Sequence, residues 1–157
     1  MPIVTIARET GAGGADVGRL LADRLGADPV DGSLIEEVAG EDEQPRSGNA
    51  VIVGRGACFV LADLLDAVHV FLCAPLEVRV RRLVARWGTD EASARRRLLV
   101  DDARRRVYVQ EVHGREWRDP LNYDLSIDTG RVGYEDAAEL IRLLVGRRVA
   151  ASVRDAD

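Results

Sequence analysis

The chain of 157 residues is one ordinary domain, with 46% hydrophobic residues for a core and no apolar run near the ~20 residues of a membrane span. Its net charge of −5 argues against a general nucleic-acid binder. All 22 basic residues are arginine, so any phosphate site must use guanidinium groups, backbone N–H groups or a metal ion.

Met1 to Ile6 has no basic region ahead of an apolar stretch, so it reads as a strand and not as a signal peptide, and the cytoplasm is the expected location. The strand, Ile3 to Ala7, runs into Gly11-Ala12-Gly13-Gly14. Val17, Leu20, Leu21 and Leu25 then recur at helical spacing, and Gly26 ends that helix. Pro29 to Asp31 is a second strand, and Ser33 caps a short helix through Leu34, Ile35 and Val38. Gly40 to Asn49, with Pro45, Ser47 and Gly48, is an exposed loop.

Ala50 to Val53 is a third strand, closed by Gly54-Arg55-Gly56. A helix through Phe59, Leu61 and Leu65 leads to a fourth strand, His69 to Cys73. Pro75 fits the first turn of a helix that runs to Trp87 and stops at Gly88. A long Arg-rich helix starts at Thr89 or Asp90 and runs towards Val112. Asp124 to Asp128 is a fifth strand, Glu135 to Val145 a last amphipathic helix, and the segment from Arg147 a loose tail. One α/β domain over residues 1–146 is therefore expected, with a parallel, five-stranded sheet flanked by helices in three layers. Ligands of such sheets bind beyond the carboxyl ends of the strands.

Cys58 and Cys73 lack metal-site spacing and read as free thiols. His69, Trp87 and Trp117 read as structural, whereas Tyr108 suits packing and nucleotide contact equally. Of the six arginines in Arg95-Arg96-Arg97 and Arg104-Arg105-Arg106, one or two are expected to be functional; the rest belong to a solvated face paired with Glu91, Asp101 and Asp102.

A glycine loop between a first strand and a first helix suits phosphate, because glycine lets the backbone approach and the helix start offers unpaired N–H groups. Val4-Thr5-Ile6-Ala7-Arg8 followed by Gly11-Ala12-Gly13-Gly14 resembles the opening of the cytidylate kinase-like family of P-loop kinases. Further blocks resemble that family in order: Asp31 with Leu34-Ile35; Val51 to Gly56; Ala74 to Arg79 with Arg82; Asp102, Arg105 and Tyr108; then Gly114, Trp117, Asp119, Asn122 to Leu125, Asp128 and Thr129. The resemblance implies a P-loop kinase fold and ATP-dependent phosphoryl transfer to a nucleoside monophosphate such as CMP or dCMP, with Mg2+ assisting. On that pattern Gly11, Ala12, Gly13, Gly14, Ala15 and Asp16 cradle the donor phosphates. Arg8 adds charge beside them, and Arg104 and Arg105 close from a lid over residues 88–120. Asp31, Arg55 and Arg79 serve the acceptor, Arg131-Val132-Gly133 touches adenine, and Asp16 is the metal-ligand candidate. Nucleotides are the implied partners, and a homodimer is allowed.

The chain departs from the pattern in two places. Gly14 stands where true cytidylate kinases carry the phosphate-loop lysine, and Asp16 stands near the position of their metal-binding threonine. The region from Leu34 to Val51, where an acceptor-binding segment is expected, is short and acidic, as Gly40 to Pro45 illustrates. These departures leave two alternatives open: a catalytically degenerate nucleotide-binding regulator, or a kinase for another small molecule.

Overall fold

The structure, a computed structural model, describes residues 2–32, 49–64 and 66–154. The expected helix from Ser33 and the loop from Gly40 to Gly48 lie outside the described residues, as does Leu65. Five strands form the sheet: β1 (Ile3–Arg8), β2 (Asp28–Asp31), β3 (Ala50–Val53), β4 (Ala67–Cys73) and β5 (Leu125–Asp128). All pair in parallel, in the order β2-β3-β1-β4-β5. The long helices are α1 (Gly14–Leu25), α3 (Leu76–Trp87), α4 (Glu91–His113) and α6 (Tyr134–Arg154). Two four-residue helices, α2 (Ala57–Val60) and α5 (Thr129–Val132), sit directly after β3 and β5.

The two-residue period of the strands divides the apolar side chains between two layers. Val4 and Ile6 of β1 and Val68, Val70 and Leu72 of β4 join Val17 and Leu21 of α1 and Ala138 and Ile141 of α6 in the main core. On the opposite face Ala7 and Phe71 meet Val109 of α4 and Trp117. Trp117 is fully buried, edge-on to Phe71 with ring centroids 5.6 Å apart. The α4 start packs Ala94 and Leu98 against Val80 and Leu83 of α3.

Gly26, Gly88 and Gly114 end α1, α3 and α4 in the left-handed conformation, each returning its N–H to a carbonyl four residues back. Asp90 caps α4 by accepting the Ser93 amide at 2.9 Å. Where the sequence suggests a helix reaching Leu65, α2 stops at Val60. The segment from Arg147 is helical as far as Arg154, and Arg148 donates to the Ala67 carbonyl at 2.7 Å. No helix among the described residues is long and apolar enough to cross a membrane.

Candidate functional site

Parallel register brings the carboxyl ends of β1, β3, β4 and β5 to one edge, so the glycine loop, Arg55, Ala74-Pro75 and α5 become neighbours there. The loop leaves β1 through Glu9 and Thr10 and turns at Gly11 and Gly13, where φ is +82° and +89°. A Cβ at Gly13 would run into the Tyr134 ring, so conformation and space both demand glycine.

The loop hangs by its carbonyls. Arg82 of α3 donates to the Gly11 carbonyl at 3.2 Å and to the Thr129 hydroxyl and carbonyl at 3.0 and 2.9 Å. The Thr129 hydroxyl in turn donates to the Ala12 carbonyl at 2.7 Å. Arg82 also stacks on Tyr134, 4.7 Å from the ring centroid. No side chain caps α1, and its backbone ladder opens with Val17 N–H to the Gly13 carbonyl at 2.9 Å. The N–H groups of Gly14, Ala15 and Asp16 thus stand outside the ladder, at the electropositive end of a twelve-residue helix. This is the arrangement that accepts an oxyanion.

Behind the loop lies a buried ion cluster. Arg79, 5% exposed, donates to Asp102 at 2.7 Å, to the Ala74 carbonyl at 2.9 Å and to the Thr10 carbonyl at 3.3 Å, and pairs with Glu9 at 3.3 Å. Asp102 accepts the Thr10 amide at 2.8 Å, and Arg118 reaches Glu9 at 2.8 Å and Asp102 at 3.4 Å. Arg79, expected at the acceptor, therefore sits beneath the loop with its guanidinium engaged by protein oxygens.

The other expected residues are distributed as follows. Arg8 ends β1, and its stem lies over Gly14. Arg105 donates to the Thr10 hydroxyl and, at 3.4 Å, to the Arg8 carbonyl. Burial pulls Arg105 below the ordinary arginine value, and the nearby Arg55 and Arg79 charges add to that pull against Asp102 and Asp101. Arg55 lies over the Tyr108 ring, 4.1 Å from its centroid. Arg8, Arg55 and Arg105 thus share one side of the loop, whereas Arg104, on the same helix, faces solvent. Asp31 is exposed at the end of β2, on the sheet edge. Asp16 accepts from Arg86 at 2.8 Å.

Among the described residues no three His, Cys, Asp or Glu side chains converge on a metal site. The residues present fit Mg2+ only in the manner of a nucleotide-borne ion, which needs one or two protein carboxylates beside phosphate and water; Asp16 is the candidate for that contact. Beside the loop a cleft of about 520 Å³ is lined by Asp16, Arg19, Val132, Gly133, Tyr134 and Asp136. Arg131, expected with Val132 and Gly133 at the base, points into solvent and pairs with Asp128 at 3.6 Å.

Residues 3–47 and 42–131 match the family model described as the cytidylate kinase-like family. The chain belongs to the cytidylate kinase-like family. Over 111 residues it is 32% identical to the cytidylate kinase of Methanopyrus kandleri, a match covering 66% of this chain and 58% of that one. A match of the same length and identity to the uronate isomerase of Corynebacterium glutamicum covers 69% of this chain and 21% of that protein. These matches thus span little more than half of one relative and about a fifth of the other. The crystal structure of an uncharacterized protein from Eubacterium ventriosum superposes with a TM-score of 0.83 at 26% identity, covering 93% of this chain and 99% of that one. The shikimate kinase of Acinetobacter baumannii shares the fold, with a TM-score of 0.52 at 18% identity over 92% of each chain. The cytidylate kinase-like chain therefore has the three-layer P-loop kinase fold.

Several residues that shape this family member's loop escape a reading of the sequence as motifs. Glu9 and Thr10 look like spacers before the glycines, yet both are buried and bonded. Tyr134 and Arg118 carry no local signal. Arg82, Asp102 and Thr129 belong to blocks that mark the family, although the sequence does not say that they converge.

Proposed function

We propose that this chain binds the phosphates of ATP on Gly11 to Asp16 and transfers the terminal phosphoryl group to a nucleoside monophosphate, with CMP or dCMP as the first acceptors to test. One observation carries the reading: the loop carbonyls are tied back by Arg82 and Thr129, which leaves the N–H groups at the start of α1 for an anion. Phosphoryl transfer asks a protein mainly for positioning and charge neutralisation. The loop amides fill the first need, and Arg8, Arg55 and Arg105 fill the second. In this reading Arg55 faces the acceptor, Arg105 bridges the loop and the transferring group, and Arg79 supports the loop from beneath. The cleft bounded by Val132, Gly133 and Tyr134 takes the donor base, and Mg2+ enters with the phosphates beside Asp16.

The test mixes the pure chain with ATP, Mg2+ and each nucleoside monophosphate in turn and follows diphosphate by chromatography. Formation of a nucleoside diphosphate from one acceptor class is the expected result. ATP binding without turnover for any acceptor would favour the second reading, a nucleotide-responsive regulator. The specific observation behind that alternative is Gly14, at the place where a P-loop kinase carries lysine.

A further inference from the structure

The geometry points to Arg8 as the replacement for the missing phosphate-loop lysine, with Gly14 as the vacancy that admits it. This inference rests on the triphosphate reading above and adds to it the source of the positive charge.

In a phosphate loop of the usual kind, a lysine at the start of the helix reaches the β- and γ-phosphates. Here that place holds Gly14, and the whole chain contains no lysine. Gly14 does not serve the backbone: it is the first residue of α1 and is absent from the glycines with positive φ, which include its neighbours Gly11 and Gly13. An alanine would suit the helix better than glycine does.

Space explains the glycine. A Cβ placed on Gly14 would lie 2.7 Å from Cγ of Arg8, 2.9 Å from its Cδ and 3.2 Å from its Nε. The Arg8 stem therefore runs through the volume that a side chain at position 14 would fill. It passes over the turn whose amides stand outside the helical ladder. Arg105 fixes the root of that stem by donating to the Arg8 carbonyl and to Thr10.

The neighbouring guanidinium groups follow other paths. Arg79 serves Asp102 and Glu9, Arg82 serves Gly11 and Thr129, and Arg86 serves Asp16. Arg19 lines the cleft on the far side of the first turn. Arg8 is the arginine whose path coincides with that of a side chain at position 14. A guanidinium arriving from β1 brings planar, paired donors where lysine would bring a point charge, and it suits two oxygens of one phosphate. Positions 8 and 14 then act as one unit: a large cation at 8 requires no side chain at 14.

Calorimetric titration of the full chain with Mg2+-ATP tests this, with circular dichroism melting of every variant. Arg8→Ala is expected to weaken binding about tenfold or more, as loss of a charged hydrogen bond does. Gly14→Ala is expected to weaken it too, while the melting midpoint holds or rises. The double variant R8A/G14A should be little worse than either single change, because both remove the same contact. R8A/G14K should recover affinity relative to R8A, with the ammonium restored from the helix side. Wild-type affinity in Arg8→Ala would overturn the inference, and so would R8A/G14K binding no better than R8A. Should Arg8→Ala melt early, Arg8→Gln keeps most of the stem and answers the same question. An unaltered chain that shows no affinity for Mg2+-ATP would instead end the triphosphate reading itself, which separates the two failures.

Discussion

The Thr129 hydroxyl donates to the Ala12 carbonyl at 2.7 Å across 117 positions of sequence, joining the start of α5 to the middle of the glycine loop. Both residues are buried, so water cannot replace the bond. Thr129→Val keeps the shape and removes the donor, leaving a buried carbonyl short of a partner. A loss of about 1–3 kcal/mol is expected in urea unfolding, with an unchanged slope. Thr129→Ser should recover most of it.

Asp102 is the hub of the buried ion cluster, holding Arg79 at 2.7 Å and the Thr10 amide at 2.8 Å. Asp102→Ala removes the nearest carboxylate from the buried Arg79, leaving Glu9 to balance both Arg79 and Arg118, and is expected to cost about 3 kcal/mol of stability. Arg104→Ala, two residues along the same helix but exposed, should stay within about 0.5 kcal/mol of the parent in the same unfolding measurement.

The strands show how far local pattern reaches. β3 falls on the expected residues, and β1, β2, β4 and β5 begin or end within two of them: β1, β3 and β4 are mostly apolar runs, whereas β2, Asp-Pro-Val-Asp, is marked only by its place after Gly26. Parallel order follows from the alternation with helices. α5 escaped notice because Thr129 to Val132 has neither length nor period, and its cap at Asp128 looks like a strand end. The site was legible as a loop and a set of arginines, but not in its division of labour. Arg79 and Arg105 look alike in sequence. One is sunk in carboxylates and the other borders the loop, and only the crossing of α3 and α4 behind Thr10 decides which is which.

Burial lowers the pKa of His69 below its ordinary 6.5, with Asp124 opposing and Arg148 reinforcing the shift. The folded chain therefore holds the imidazole neutral, with Nδ1 2.8 Å from the Thr5 hydroxyl, at pH values where the unfolded chain already takes a proton. His69 accordingly supports the fold fully above pH 6.5, and that support falls as pH drops from 6.5 towards the lower folded value. In unfolding measurements from pH 7.5 to 5, His69→Gln should flatten part of the acid-side slope. An identical slope would show that other groups set the acid limit.

Arg55 stacks on Tyr108 beyond β3, on the acceptor side in the proposed reaction. Arg55→Met keeps an apolar chain over the ring and removes the charge. Steady-state kinetics should then show the KM for the nucleoside monophosphate raised about tenfold or more, the equivalent of a charged hydrogen bond, with the KM for ATP little changed. Equal effects on both substrates would place Arg55 at the transferring phosphate instead.

The helix α4 is a rod of 23 residues, packed on α3 at its start and anchored at two further points along its length. Asp102 and Arg105 fasten it to the turn after β1, and Val109 seats it with Trp117 under the sheet. Asp102 and Val109, seven positions apart, lie about 10 Å from each other along the axis. A beam pinned at both places cannot swing there like a door on one hinge, so the turn after β1 and the packing beneath the sheet move as a single piece.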